Sequence, residues 1–281
     1  MRTSLPLTAL VLTSVLTLAA CGSTSDAASD PAGDADQADG VTTVRVAVTP
    51  VPHATILEFV DEELAAEAGI DIEIVEFTDY VQPNVALDEG SVDANYYQHG
   101  VFLADQSQAA GYDFTGLATI SFQPMGLYSE SLADLGEVPE GATVAIPNDP
   151  VNGSRGLKLL AAEGLITLAD PDAPVPTVLD IEENPRKLRF EEVEAPQLPR
   201  SLADVDIAAV PGNFALDAQL KPAEDALVAE DTSDTTYANQ LVVRAGDEDD
   251  PALQALLEVL TSEEVRQFID ETYDGAVVAA F

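Results

Sequence analysis

Hydrophobic and polar positions alternate along the chain in short blocks that change period. Thr43–Val48 is a β-rich run that ends at a Pro/His turn. Over Ala54–Ala68 the apolar residues Ile56, Leu57, Val60 and Leu64 recur at helical spacing, and Gly69 stops the pattern. Asp71–Phe77 (DIEIVEF) predicts a second strand. Strand, helix, strand is the opening of a parallel α/β sheet. A short helix over Pro83–Asp88, a strand over Val92–Tyr97 and a helix over His99–Ala110, ended by Gly111, continue it.

Leu117–Tyr128 (LATISFQPMGLY) predicts an extended segment leading out of this first lobe. A second α/β set follows, with strands at Thr143–Ile146, Leu188–Val193 and Val205–Val210. Helices are expected at Ser154–Ala162, Leu198–Leu202 and Phe214–Leu220. Gln240–Arg244 is an extended return. Two helical patterns close the chain: Asp250-Pro251 starts one and Ser262-Glu263-Glu264 the other, with Leu256, Leu257, Val265 and Phe268 as core candidates. There is no internal repeat. Two α/β sets joined by two extended crossings imply two lobes with a cleft between them. Ligands of open α/β sheets sit at the carboxyl ends of strands, and His53, Arg155 and Asn213 fall there.

The N-terminal pattern is different. Residues 4–20 carry no charge and end Leu18-Ala19-Ala20-Cys21-Gly22. The stretch is shorter than the roughly 20 apolar residues of a membrane span. Residues 1–20 are expected to be a secretory signal. The junction resembles a bacterial lipobox, in which Cys21 carries the lipid, palmitate included, and becomes the mature N-terminus. Cys21 is the only cysteine, so an internal disulfide and a Cys-based metal site are excluded. After it comes a stretch of Gly, Ser, Ala and Asp, expected to be a flexible acidic tether. Residues 21–41 are therefore assigned to the lipidated Cys and tether, 42–127 and 240–281 to lobe 1, and 128–239 to lobe 2.

Charge narrows the partners. Eleven basic residues face 51 acidic ones, a formal net charge of −40. A nucleic-acid surface needs clustered Lys/Arg and is excluded. Docking on anionic lipid by charge is excluded too, so attachment to a membrane falls to the lipid anchor alone. The lysine-poor, acidic surface suits an extracytoplasmic setting, which is a matter of solubility and not of chemistry.

Arg155 is then conspicuous. It follows a strand and a loop rich in Asn, Pro and Gly (IPNDPVNGSR), at the expected start of a helix. Helix N-termini offer unsatisfied N–H groups and the positive end of a dipole. A guanidinium can grip a carboxylate with two parallel hydrogen bonds, and Asn148, Asn152 and Gly153 add amides and backbone freedom. The competing reading pairs Arg155 with one of the many surface acids. No phosphate-loop pattern is present, so a carboxylate ligand is favoured over a nucleotide. Tyr80, Tyr96, Tyr97 and His99 cluster within twenty residues, and aromatic rings suit a thioether or alkyl chain. Phe77 reads as core. With only His53 and His99, no Gly-x-Ser-x-Gly and no His-Glu-x-x-His, catalysis, metal and cofactor have no support in the sequence.

Four segments carry a resemblance: FTDYVQPNVALDEGSVDANYYQH (77–99), IPNDPVNGSRGLKLL (146–160), PTVLDIEENPRKLRFEEVEAPQLPRSL (176–202) and YANQLVVR (237–244). From about Val44 to the C-terminus the chain resembles the methionine-binding lipoproteins of bacterial ABC importers, the MetQ/NlpA family. The resemblance implies a two-lobed periplasmic-binding-protein fold of type II, with two crossover strands and a ligand cleft between lobes. It implies no catalysis, capture of methionine outside the membrane, and delivery to an ABC permease with its ATPase by a monomer. Arg155 would hold the ligand carboxylate, helped by Asn152. Asn239 would hydrogen-bond the head group, with Asn213 beside it. Tyr80, Tyr97 and His99 would line the side-chain pocket, and His53 would face the cleft. Arg155→Ala would abolish binding and leave the fold intact. Tyr97 stands where Phe is common in the family, and its hydroxyl would alter the pocket or reach water. Pro211 stands where some relatives place the head-group Asn. Arg200 would pair with acids inside the second lobe. Another apolar amino acid, a methionine-containing dipeptide, or a surface lipoprotein that does not transport are the alternatives.

Overall fold

A computed structural model of the chain describes residues 41–281. The expected signal peptide, Cys21 and all but the last residue of the expected tether lie outside the described residues. The chain begins with β1 (Thr42–Val48), β2 (Ile70–Glu76), β3 (Ala94–His99) and β4 (Phe114–Phe122). It crosses over to β5 (Gly126–Tyr128), β6 (Thr143–Pro147), β7 (Thr167–Leu168), β8 (Ile181–Glu183), β9 (Arg189–Val193), β10 (Ile207–Val210) and β11 (Ala226–Ala229). It then returns as β12 (Asn239–Arg244) and β13 (Val278–Ala279).

Two sheets result. The first has the order β13-β4-β12-β3-β1-β2, and the second β11-β5-β10-β6-β9, with β7 and β8 forming a small ribbon. In the first, β1 runs parallel to β2 and β3, while β12 runs antiparallel between β3 and β4. In the second, β6 runs parallel to β9 and β10, while β5 is antiparallel to β10. Each lobe is thus a mainly parallel sheet into which a crossing inserts an antiparallel strand, with β13 a second antiparallel strand at the edge of the first. The two connections, Phe122 to Gly126 and Ala229 to Asn239, lie between the sheets.

Period-2 alternation sends Val44, Val46 and Val48 to one face of the first sheet and Ala47 to the other. Leu241 and Val243 join the first group, Val242 the second. The helices cover both faces: Ile56, Leu57, Val60, Leu253, Leu256, Val265 and Ile269 pack on one, Leu87 and Leu103 on the other. Phe77 packs at the edge of the latter cluster, as core. Because the sheet is buried on both faces, Tyr96 and Tyr97 are both buried although they point in opposite directions. The predicted caps are present. Gly69 adopts the left-handed conformation at the end of the first helical run (φ 74°). Asp250 accepts from the N–H groups of Ala252 and Leu253, and Ser262 from that of Val265.

One boundary differs in a way that affects the site. The helix expected from Ser154 begins at Pro150 and runs to Ala162. Asp149 is its N-cap, accepting from the N–H of Asn152 at 2.8 Å, and Pro150 fills the first turn, where no N–H is needed. Arg155 therefore sits in the second turn of the helix and not at its start. Gly153 belongs to the helix as well: a Cβ there would lie 2.7 Å from the carbonyl oxygen of Pro147. The Asn, Pro and Gly that read as a loop are a cap, a first-turn residue and a close approach.

Candidate functional site

The parallel strands of both sheets end at the same place. Tyr80 follows β2, and its loop is pinned by Asp79, whose Oδ1 accepts from the N–H groups of Val81 and Gln82 at 2.7 and 2.8 Å. Tyr97 and His99 close β3. Asn152 and Arg155 follow β6, and Asn213 follows β10. The crossings add Gln123 from the first, and Tyr237 and Asn239 from the second. These residues, with Gln98, Phe102, Pro211 and Gly212, line a narrow cavity of about 20 Å³. That is room for about one water, far below the roughly 300–1,000 Å³ of small-molecule sites, so a ligand enters only when the lobes part.

The lobes are shut on each other here. Tyr80 Oη donates to Asn213 Oδ1 at 2.5 Å, and His99 Nε2 lies 3.3 Å from Asn152 Oδ1. The rings of Tyr80 and Phe214 are 4.9 Å apart. Gly212 permits this closeness to the crossing: a Cβ would lie 2.6 Å from the Pro124 carbonyl oxygen and 2.8 Å from Gln123 Cβ. Tyr97 Oη donates to the Tyr80 carbonyl at 3.0 Å, so its hydroxyl is spent on fixing the Tyr80 loop and not on water. Burial pushes the Tyr80 and Tyr97 phenols well above their usual range, so both are neutral donors.

Arg155 is buried, and its guanidinium is already held. Nε donates to Glu230 Oε1 at 2.6 Å, and Nη2 donates to Glu230 Oε2 and to the Gln123 carbonyl, the latter at 3.1 Å. Glu230 in turn accepts from the Met125 N–H at 2.8 Å. The Tyr237 ring stacks 4.6 Å from the guanidinium centre. This amends the expectation of a two-bond grip on a ligand: the Nε/Nη2 edge belongs to Glu230, and Nη1 is the nitrogen without a partner among the described residues. The competing surface-pair reading is amended as well, since the pair is buried. Burial lowers the Arg155 pKa but is outweighed by Glu230, and the net direction is upward. Arg155→Ala would therefore leave Glu230 unpaired, so the expectation of an intact fold for that variant is not supported.

His99 does two jobs. Its Nδ1 accepts from the Phe102 N–H at 3.2 Å, capping the helix Gly100–Ala110. That leaves the proton on Nε2, which donates to Asn152 Oδ1 across the cleft. Asn152 also donates from Nδ2 to Asp149. Burial and then the Arg155 cation lower the His99 pKa to about 3, so the ring is neutral.

Seven of the eight residues singled out in the sequence as ligand-binding line the cavity, and one is corrected. His53 does not line the cavity; it is fully buried behind Asn239, with Nε2 2.9 Å from Asn239 Oδ1. The seven lining residues are Tyr80, Tyr97, His99, Asn152, Arg155, Asn213 and Asn239. Arg200 is also corrected. It is exposed and makes no ion pair among the described residues, at the edge of a separate groove shared with Glu194 and Asp217. Glu194 and Asp217 are exposed too, where pairing gains little. Sequence reasoning missed Glu230, Gln123, Phe102 and Tyr237. Tyr237 stood in the quoted YANQLVVR motif, but nothing in its spacing announced a stack on Arg155. Among the described residues, no group of His, Cys, Asp or Glu is arranged to hold a metal, and no helix is long and apolar enough to cross a membrane.

Two sheets with paired crossings, and a polar and aromatic cavity closed between them, are the architecture of a two-lobed substrate-binding protein. Residues 44–281 match the family of NlpA lipoproteins, and the chain belongs to that family. It is 37% identical over 237 residues to the D-methionine-binding lipoprotein MetQ of Escherichia coli K12, covering 84% of this chain and 87% of that one. Its structure is similar to that of a nutrient-binding protein from Burkholderia cenocepacia bound to methionine (TM-score 0.82, 40% identity, 85% and 100% of the two chains). It is also similar to a periplasmic substrate-binding protein of an ABC transporter from Coxiella burnetii (TM-score 0.80, 38% identity, 84% and 100%).

Proposed function

We propose that this protein captures methionine outside the membrane and delivers it to the permease and ATPase of an ABC importer. On this reading Cys21 carries the lipid anchor, the lobes divide near residues 127 and 240, and the protein acts as a monomer. The observation that carries the proposal is the mixed lining of the cavity. It brings the buried Arg155 and the amides of Asn152, Asn213, Asn239 and Gln123 together with the rings of Tyr80, Tyr97 and Phe102. The ligand carboxylate meets Arg155 Nη1, and the thioether lies among the rings, where sulfur–aromatic contacts are favourable by about 0.3–1.5 kcal/mol. Because Glu230 already neutralises the guanidinium, the site suits a zwitterion better than a bare anion.

A second reading, a methionine-containing dipeptide, has one observation in its favour. Asn213 lies both on the cavity and on the larger groove beside it, so an additional residue has space to occupy. The test is a thermal-shift panel, since a ligand that binds only the folded state raises the midpoint. Methionine should raise it most, norleucine and leucine less, and methioninamide least. A larger shift with glycyl-methionine than with methionine would favour the dipeptide. Equal shifts with methionine and methioninamide would contradict a carboxylate at Arg155.

A further inference from the structure

His53 is the buried polar group that the binding site leaves unexplained. It sits in the turn after β1, fully buried, with the Tyr96 ring edge-on at 4.8 Å. Its two nitrogens have one partner each. Nδ1 is 2.7 Å from Thr49 Oγ1, and Nε2 is 2.9 Å from Asn239 Oδ1. An amide oxygen only accepts, so Nε2 carries the proton. In a neutral ring Nδ1 must then accept, and the Thr49 hydroxyl donates to it. Burial keeps the ring neutral at pH 7, lowering its pKa to about 4.

In this arrangement of donors the NH₂ end of Asn239 faces the ligand. The Oδ1 is used by His53. The Nδ2 has no hydrogen-bond partner among the described residues, and Asn239 lines the cavity. We propose that His53 is a positioning residue: with Thr49 behind it, it locks the Asn239 amide so that the NH₂ group points into the cavity as a donor to the ligand carboxylate. The proposal rests on the reading of the ligand as an amino acid. Its value to the site follows from Glu230. With the Nε/Nη2 edge of Arg155 committed, Nη1 and the amides of Asn239 and Asn213 are among the donors left for a carboxylate. An amide turned the other way would set its oxygen against that carboxylate, converting an attraction into a repulsion. An unrestrained asparagine could turn, whereas one hydrogen-bonded to a protonated Nε2 cannot do so without losing the bond.

The opposite arrangement is also chemically complete: Nδ1–H donating to Thr49, and Asn239 Nδ2 donating to Nε2. The two arrangements differ in the tautomer, which can be measured directly. The chain has two histidines, so long-range ¹H–¹⁵N correlation of the histidine-labelled protein at pH 7 gives two imidazole patterns, and His53→Phe assigns them. An Nε2–H pattern for His53 is expected. An Nδ1–H pattern overturns the proposal, and this readout needs no ligand.

The functional half is tested by a double-mutant cycle on methionine affinity. His53→Phe should weaken binding about tenfold in the parent but less than about twofold in the Asn239→Ala background, because its effect passes through Asn239. His53→Gln, whose Nε2 amide can donate at the same place, should recover affinity to within about threefold of the parent. Equal losses from His53→Phe in both backgrounds, or no recovery with His53→Gln, would show a merely structural role. A parent that binds no methionine would sink the functional reading, while the tautomer would still decide the orientation of the amide.

Discussion

Replacing Glu230 with alanine isolates what the Arg155 pair contributes. The two side chains are 5% and 15% exposed, so water screens them little. Removing the carboxylate leaves a buried guanidinium with only the Gln123 carbonyl as acceptor. Breaking a buried pair from one side costs about 3–5 kcal/mol. The Met125 N–H loses its side-chain acceptor as well, for about another 1 kcal/mol. In a body of this size each kcal/mol moves the midpoint by about 2–4 °C, so the expected fall is on the order of 10 °C. Bound methionine should reverse part of it. Its carboxylate restores a counter-charge to Arg155 and finds the Nε/Nη2 edge open. The assay is thermal unfolding followed by circular dichroism, with and without saturating methionine. The variant should start lower than the parent and gain more from the ligand. A loss below about 1 kcal/mol, the size of an exposed pair, with the same ligand-induced gain as the parent, would refute this reasoning.

Three further outcomes follow from the same geometry. Arg155→Ala should lower methionine affinity by at least about thirtyfold, since a buried charged hydrogen bond is worth about 2 kcal/mol or more. It should also destabilise the protein, and adding Glu230→Ala should restore stability but not binding, as separate denaturation and titration experiments would show. Acid should destabilise the fold through His53 and His99, whose folded pKa values of about 4 and about 3 lie below the unfolded value of about 6.5. The unfolded chain takes up protons first as pH falls, so this stability is complete above pH 6.5, drains away between pH 6.5 and 3, and amounts to roughly 3 kcal/mol for His53 alone. Urea midpoints across that range should therefore decline less steeply in His53→Gln. Gly212→Ala should cost about 1–3 kcal/mol by driving a methyl group into the Pro124 carbonyl, and methionine affinity should fall with it because the crossing carries Gln123.

The sequence disclosed elements wherever local chemistry and burial agreed. The Gly69 stop, the Asp250 and Ser262 caps and the run of strands in both lobes all have local signals, and the structure contains them. Where tertiary contact decides, local signals were weak. The strands β11 and β13 are four and two residues long, and they exist because β5 and β4 offer open edges to pair with. The loop-like composition before Arg155 concealed a capped helix, since Gly153 serves packing and not a turn. Glu230 was invisible for a different reason. Among 51 acidic residues, one carboxylate has no distinguishing spacing, and only the second crossing brings it to Arg155, 75 positions away. His53 was legible as a site residue by its place after a strand, but its partner Asn239 lies 186 positions on. That separation is why its position behind the cavity, and not in it, required the fold.

The most direct measurement is a calorimetric titration with L-methionine of the protein after unfolding and refolding, which strips any ligand carried through purification. Saturable binding with one methionine per chain is expected, weakened by Arg155→Ala and by Asn239→Ala. No heat of binding, or binding that both substitutions leave unchanged, would contradict a methionine site in this cavity.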